Sequence, residues 1–351
     1  MEKAEALIFT VWMLALLLSP AVHAAPYWVK PGVHVTYIAK RDDSYIQQQI
    51  DKGSSPEAIR TAGIVYFRND TYYTINAYNT STLGFEIASI KNGYATVDVV
   101  LDLKNVTVNF EVPKGSKASA FWDNDSVLNF TCRKPLSGTK LVCIYHLKEL
   151  SFQGRYKIRL DDGGVFSVNG TYYGHTFLWI DPGATPKENE TFVVLPALNW
   201  TMEVKRVSSR DEAQKTYYGE FGPPVATLSL IGPPLVIKGV VEFTTSIWGS
   251  IRYDPATGIV LSPTTLSVLI SPDLSAVGIP FAAFTDERVA YDYEVNRNYV
   301  WAGLLPLYDT NAEFQRAEKV PFPKPKTRLE FAFYGSLVIL GLVVVVGLKR
   351  R

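Results

Sequence analysis

Asp292 and Glu294 are the two carboxylates best spaced for joint chemistry. In an extended strand through Tyr291-Asp292-Tyr293-Glu294 they would share a face, near the separation at which glycoside hydrolases hold their two carboxyl groups. A solvated strand face produces the same alternation far more often, so the pair is a candidate only and no residue is assigned a catalytic role. Cys132 and Cys143 flank Arg-Lys-Pro-Leu-Ser-Gly-Thr-Lys-Leu-Val. A hairpin turning at Ser137-Gly138 sets the sulfurs opposite each other, and outside the cell such a pair forms a disulfide that stabilises by about 3 kcal/mol through loop closure. Ser137 and Lys140 have the Ser-x-x-Lys spacing of an acylating serine, but the turn leaves no helix to present it. Asp123 and Asp125 could open a calcium loop, yet its twelfth position is Lys134 where glutamate is needed. His34, His146 and His175 are far apart and read as ordinary strand residues. Nucleophile-elbow, zinc-helix, phosphate-loop and EF-hand signatures are absent, so no metal or cofactor is expected.

A different signal is dense. Asn69, Asn79, Asn105, Asn124, Asn129, Asn169, Asn189 and Asn199 each have Ser or Thr two positions on with no proline between. Chance spacing gives about two such N-glycosylation acceptors, so eight imply a glycoprotein whose surface over residues 69–201 stays wet. Tyrosine recurs in pairs at Tyr72-Tyr73, Tyr172-Tyr173 and Tyr217-Tyr218. Neighbouring strand residues face opposite ways, so one ring of each pair can pack inward while the other stacks a sugar or lines an apolar groove; cross-strand aromatic packing is the simpler role.

The ends set the location. Residues 6–18 carry no charge and precede Ser19-Pro20 and a small-residue site at Ala24-Ala25, as in a secretory signal peptide of residues 1–24; the weak positive charge ahead of the run leaves an uncleaved signal anchor as the alternative. Residues 331–348 are again uncharged, span about 27 Å as a helix and are closed by Lys349-Arg350-Arg351. A single transmembrane helix over residues 329–348 is expected, with a cytoplasmic stub at 349–351 and a stiff stalk of prolines and charges at 310–328. The cationic residues on its two sides balance, so the signal peptide decides the orientation: ectodomain outside, C-terminus cytoplasmic.

Between these ends the pattern is that of antiparallel strands. Ala95, Val97, Val99, Leu101 and Leu103 alternate with mostly polar neighbours, as do Val106, Val108, Phe110 and Val112, and Tyr156, Ile158 and Leu160. Asn92-Gly93 suits a type I′ hairpin, and Asp254-Pro255-Ala256-Thr257-Gly258 a four-residue turn. One helical stretch, 44–51, is expected near the N-terminus, with a further turn where Ser55 caps Pro56. The fold class is therefore mostly β: an antiparallel β-sandwich or open barrel, as one large domain or two packed domains, with a glycosylated region at 25–208 and a second β-rich region at 209–309.

Composition closes off other classes. Lys and Arg number 35 against 34 Asp and Glu, and 47% of residues are hydrophobic, so the chain is folded and has no basic footprint for nucleic acid. With Tyr253-Asp254-Pro255-Ala256-Thr257-Gly258, the opening Pro26-Tyr27-Trp28-Val29-Lys30-Pro31-Gly32 and Gly174-His175-Thr176-Phe177-Leu178-Trp179-Ile180, the chain resembles exported, membrane-anchored β-rich proteins of hyperthermophilic archaea. The resemblance implies architecture and habitat and carries over no functional residue. The expected function is that of a single-pass cell-surface glycoprotein whose ectodomain binds a partner or builds the envelope, with the membrane, N-linked glycans and an envelope or surface protein as partners. The alternatives are a membrane-tethered hydrolase of envelope polymers and an open barrel that binds lipid or another hydrophobic solute.

Overall fold

The computed structural model describes residues 25–68, 71–113, 124–133, 140–237 and 241–314. The strands are β1 (His34–Ala39), β2 (Ala62–Arg68), β3 (Thr71–Ala77), β4 (Ser81–Lys91), β5 (Tyr94–Pro113), β6 (Val127–Arg133), β7 (Lys140–Arg159), β8 (Gly164–Ser167), β9 (Tyr172–His175), β10 (Thr191–Leu195) and β11 (Trp200–Arg210). After them come β12 (Gln214–Lys215), β13 (Glu220–Phe221), β14 (Val225–Gly232), β15 (Leu235–Ile237), β16 (Val241–Phe243), β17 (Ile247–Tyr253), β18 (Val260–Ser262), β19 (Val268–Leu269), β20 (Phe281–Phe284) and β21 (Leu307–Thr310). Three short helices interrupt them: α1 (Asp43–Asp51), α2 (Pro272–Ser275) and α3 (Glu287–Glu294). The fold is mostly β, a curled antiparallel half-barrel, the open-barrel form of the two expected.

The spine is the pair β5 and β7, each twenty residues long and in register from Tyr94↔Arg159 to Pro113↔Lys140. The two hydrophobic alternations of residues 95–103 and 106–112 belong to one strand. Asn105, at φ 53°, inserts one residue between them, so the buried positions change from odd to even numbers. Lys148 is passed over at the same level of β7, and buried Leu147 and Leu150 record the same change of phase. An extra residue in each strand leaves the pairing in register while both strands change which parity they bury. At this level the neighbours change as well: β5 pairs with β4 before it and β3 beyond it, and β7 pairs with β6 on one side of it and β8 on the other. The near half continues through β1 and β21 on one edge and through β8 to β11, β14, β17 and β18 on the other.

The far half forms an arm of β2, β3, β5, β6 and β7. One face carries Tyr66, Tyr73 and Phe110, with successive ring centroids 6.2 and 5.3 Å apart, followed by Tyr145 and Phe130 at 4.2 Å. Tyr72 points the other way and meets Phe67 at 4.7 Å, so the Tyr72-Tyr73 pair does divide between faces. Cys132 and Cys143 lie directly opposite in β6 and β7 and form the expected disulfide, Cα to Cα 4.1 Å. Its turn at Ser137-Gly138 lies outside the described residues. The type I′ turn is present, with Asn92 and Gly93 at φ 51° and 76°, and Gly258, at φ 75°, closes the Asp254 turn by donating to the Asp254 carbonyl at 2.7 Å.

The hollow of the half-barrel is filled by the chain itself. Leu274, Val277 and Ile279, on and after α2, lie against Val99, Leu101, Phe152 and Gly154 of the spine. A Cβ on Gly154 would stand 2.5 Å from Val277 Cγ1, so glycine is what allows this approach. Asp273 of α2, fully buried, accepts from Tyr156 Oη at 2.9 Å, Thr176 Oγ1 at 2.7 Å, the Phe177 amide at 2.7 Å and Ser271 Oγ at 3.2 Å. Burial raises its pKa against these donors, and their number is what makes a carboxyl tolerable there.

The seam expected near Ser209 falls inside β11, which pairs with β14 as far as Arg210↔Val225. The first residues of the fold meet its last ones: the Trp28 and Phe314 rings lie 6.2 Å apart, and Tyr218 and Phe221 each lie 6.1 Å from Phe314. Among the described residues no helix is long and apolar enough to cross a membrane. The segments read as signal peptide (1–24) and transmembrane helix (329–348) lie outside the described residues, as do Asn69, Asp123 and the stalk beyond Phe314.

Candidate functional site

Asp292 and Glu294 are not on a strand. Residues 287–294 form α3, begun by Asp286, whose carboxylate accepts from the Val289 amide at 3.0 Å. Positions two apart are about 200° apart around a helix, whereas on a strand they share a face. Asp292 accordingly turns inward, 7% exposed, and accepts from Trp301 Nε1 at 2.7 Å and Asn296 Nδ2 at 2.8 Å. Glu294 is exposed and binds α1 instead, accepting from Tyr45 Oη at 3.1 Å, Gln49 Nε2 at 2.9 Å and Lys52 Nζ at 3.3 Å. The two cannot flank one glycosidic bond. The tyrosine alternation at 291 and 293 imitated a strand, while Asp286-Glu287, an acidic start before a short helix, was the signal to read.

The start of α3 gathers the buried acids. Asp286 is fully buried; its Oδ2 accepts from the Lys40 amide at 2.9 Å, and both oxygens receive Tyr217 Oη, at 3.1 and 3.2 Å. Glu287, 1% exposed, accepts from the Asp42 amide at 2.8 Å through Oε2, and its own amide donates to the Lys40 carbonyl at 2.9 Å. The remaining oxygen, Glu287 Oε1, is buried with no hydrogen-bond partner. Burial pushes the Asp286 carboxyl up to about 6 despite its donors, and Glu287 up to about 7, with the neighbouring Asp286 and Asp42 charges adding to the effect. Lys40 Nζ lies over the Tyr217 ring, 4.0 Å from its centroid, and 4.9 Å from that of Tyr308.

These acids clasp the segment between β1 and α1. Asp42 in turn caps α1, accepting from the Ser44 and Tyr45 amides at 3.0 and 3.1 Å. No residue of α1 is buried, so the helix is held through polar groups that converge on α3. Chemically the cluster can store a proton near neutral pH. It offers little to a substrate, because main-chain amides and Tyr217 occupy every carboxylate oxygen except Glu287 Oε1. Among the described residues no group of three His, Cys, Asp or Glu side chains could hold a metal ion. Two clefts, under Trp248 and beside Phe152, have room for about one water molecule each.

The candidate glycosylation sites are dispersed. Asn79, Asn105, Asn129, Asn169, Asn189 and Asn199 are all exposed. Asn105, Asn189 and Asn199 sit at positive φ, where asparagine is favoured for its local hydrogen bonding. Asn129 follows the exposed Leu128 and precedes Phe130, so in β6 it faces away from the aromatic row of the arm. Asn124 stands at the start of a single 3₁₀ turn before β6. Of the histidines, exposed His34 meets Asp309 at 2.9 Å, and His175 Nδ1 lies 2.9 Å from the Asp162 carbonyl.

Comparison of the chain with protein-family models, curated proteins and solved structures finds no match.

Proposed function

We propose that this chain is a single-pass cell-surface glycoprotein, exported by its N-terminal signal and tethered by the apolar segment at 329–348, with a β-rich ectodomain that binds a partner or contributes to the envelope. The observation that carries the reading is the exposure of Asn79, Asn105, Asn129, Asn169, Asn189 and Asn199 on a fold whose two cysteines are joined. Eight acceptors in the first two-thirds of the chain would be a costly coincidence for a protein never meeting a glycosyltransferase. The meeting of Trp28 and Phe314 also suits a tether, because the chain enters and leaves the fold at one place. Exposed Tyr218, at 41% and 6.1 Å from Phe314, adds at that exit a ring suited to a lipid headgroup layer. The archaeal source and habitat implied by the resemblance belong to the same reading.

The test is biochemical. Full-length chain from its native host should stay in the membrane pellet at alkaline pH, with glycopeptides at most of the eight asparagines and a non-reducible-alkylation pattern showing no free thiol. Recovery of intact, unglycosylated chain with reduced cysteines from the cytosol would end the reading.

A further inference from the structure

Arg252 is a buried cation without an anion. It lies on β17, is 5% exposed, and Nη1 donates to Gln214 Oε1 at 2.6 Å and to the Trp301 carbonyl at 2.7 Å. Both partners are neutral. Nε is buried with no partner, and the Tyr293 hydroxyl, also neutral, hydrogen-bonds the guanidinium. The Nε–Nη2 edge is the one that grips a carboxylate with two parallel bonds. The same molecule uses it twice: Arg155 binds Asp98 through Nε at 2.5 Å and Nη2 at 2.7 Å, and Arg159 binds Asp162 through the same two nitrogens. At Arg252 the Nε of that edge is buried and unpaired.

A second, independent observation lies beside it. Thr227 of β14 is the direct cross-strand partner of Arg252, and Thr227 Oγ1 is likewise buried without a partner. Thr227 also pairs with Ser208 on β11, and the alternation puts Arg210 and Arg206 on the same face, away from the buried Leu228 and Leu230. Neither exposed arginine has a carboxylate within ion-pair distance among the described residues. Burial lowers the Arg252 pKa, with Tyr293 opposing and Arg210 adding to the effect, so no acid offsets the charge. A buried guanidinium left this way is costly unless something anionic completes it.

We propose that Arg252 is the centre of an oxyanion-binding site on this face of β11, β14 and β17, taking a carboxylate, sulfate or phosphate-ester group. Arg252 holds the group through its unpaired Nε, Thr227 donates its hydroxyl, and Arg210 and Arg206 extend the site along the strands. This role is separate from the membrane tether and stands or falls without it. The ligand is either a small free anion or an acidic group borne on a polymer such as a uronate or sulfated glycan.

The experiment uses the full chain in detergent, with melting temperature read at constant ionic strength as sulfate or acetate replaces chloride. Wild type should gain several degrees in either anion. Arg252→Met should lose that gain while melting no lower than wild type in chloride, since the variant removes an uncompensated charge. Thr227→Val, which keeps shape, should weaken anion affinity about three- to tenfold and serves where Arg252→Met does not fold. Titration with a sulfated polysaccharide and with polyglutamate then separates the sources: binding at least tenfold tighter than the free anion assigns a polymer, and equal binding assigns the small anion. Sulfate also stabilises proteins by exclusion from their surface. An equal shift in wild type and both variants, with no acetate effect, would mean that only water fills the site, and would overturn the proposal.

Discussion

Asp273 and the Asp286–Glu287 pair are both buried acids, yet the fold treats them differently. Asp273 sits in the hollow of the half-barrel, where four donors from three separate segments converge on two oxygens. Asp286 and Glu287 sit at the foot of a peripheral helix, where two donors are amides of a single connection, 40–42, the others are the Val289 amide and the Tyr217 hydroxyl, and one oxygen has none. The first arrangement ties distant strands together and has nothing left to offer. The second ties down a peripheral helix and retains a proton that solvent pH can remove. Completeness of hydrogen bonding, more than burial alone, separates a carboxyl that specifies the core from one that can respond.

The largest effect expected from this contrast is at Asp273. Asp273→Ala strands the Tyr156 and Thr176 hydroxyls and the Phe177 amide in the core; at about 1–3 kcal/mol for each orphaned group, the loss should exceed about 4 kcal/mol. Thermal unfolding of the full chain would show it, and a drop of only a degree or two would mean that the network is peripheral to stability. The Asp286–Glu287 pair should instead appear as pH dependence. Both folded-state pKa values are raised, so the folded protein holds these protons more tightly than the unfolded chain does. Their stabilisation is complete below about pH 4 and is lost as pH rises through about 6 for Asp286 and about 7 for Glu287. For Asp286 alone this is on the order of 3 kcal/mol. Asp98 and Asp162, held low by Arg155 and Arg159, act in the opposite sense and only at more acid pH. Melting temperature should therefore fall between pH 4.5 and 7.5, and Glu287→Gln should flatten the upper part of that fall. A wild-type curve already flat across this range would contradict the assignment.

Much of the fold could be read from the residues because period two is a local signal. The alternation of 95–103 and 106–112, Asn92-Gly93 and the facing cysteines each needed no knowledge of distant contacts. What local pattern could not supply was that the two alternations form one strand: the phase change at Asn105 looks like a loop until β7 is seen to make the same change opposite it. The candidate site was less legible, and for a related reason. Tyr291-Asp292-Tyr293-Glu294 has strand alternation by accident, and only the Asp286 cap, the packing of Val289 and Ala290 and the Trp301 contact to Asp292 make it a helix. Arg252 was invisible for a third reason. A single arginine in a strand carries no mark of burial, and its lack of an acid is a property of neighbours brought together from positions 214, 227 and 301.

The smallest effect tests how far the marginal cluster reaches. Glu294 gathers Tyr45, Gln49 and Lys52 of α1, but it is exposed, and exposed polar contacts contribute well under 1 kcal/mol each. Glu294→Ala should therefore leave the melting temperature within about a degree of wild type. With no buried residue of its own, however, α1 depends on Glu294 and on the Asp42 cap that Glu287 holds. Amide exchange in 43–51 should accelerate severalfold in the variant while exchange in β5 and β7 is unchanged. At pH 7.5, where Glu287 is ionised and its buried charge disfavours the clasp, the acceleration should exceed that at pH 5. A pH-independent acceleration would separate α1 from the acids of α3, whereas slower exchange at high pH would reverse the sign of the coupling.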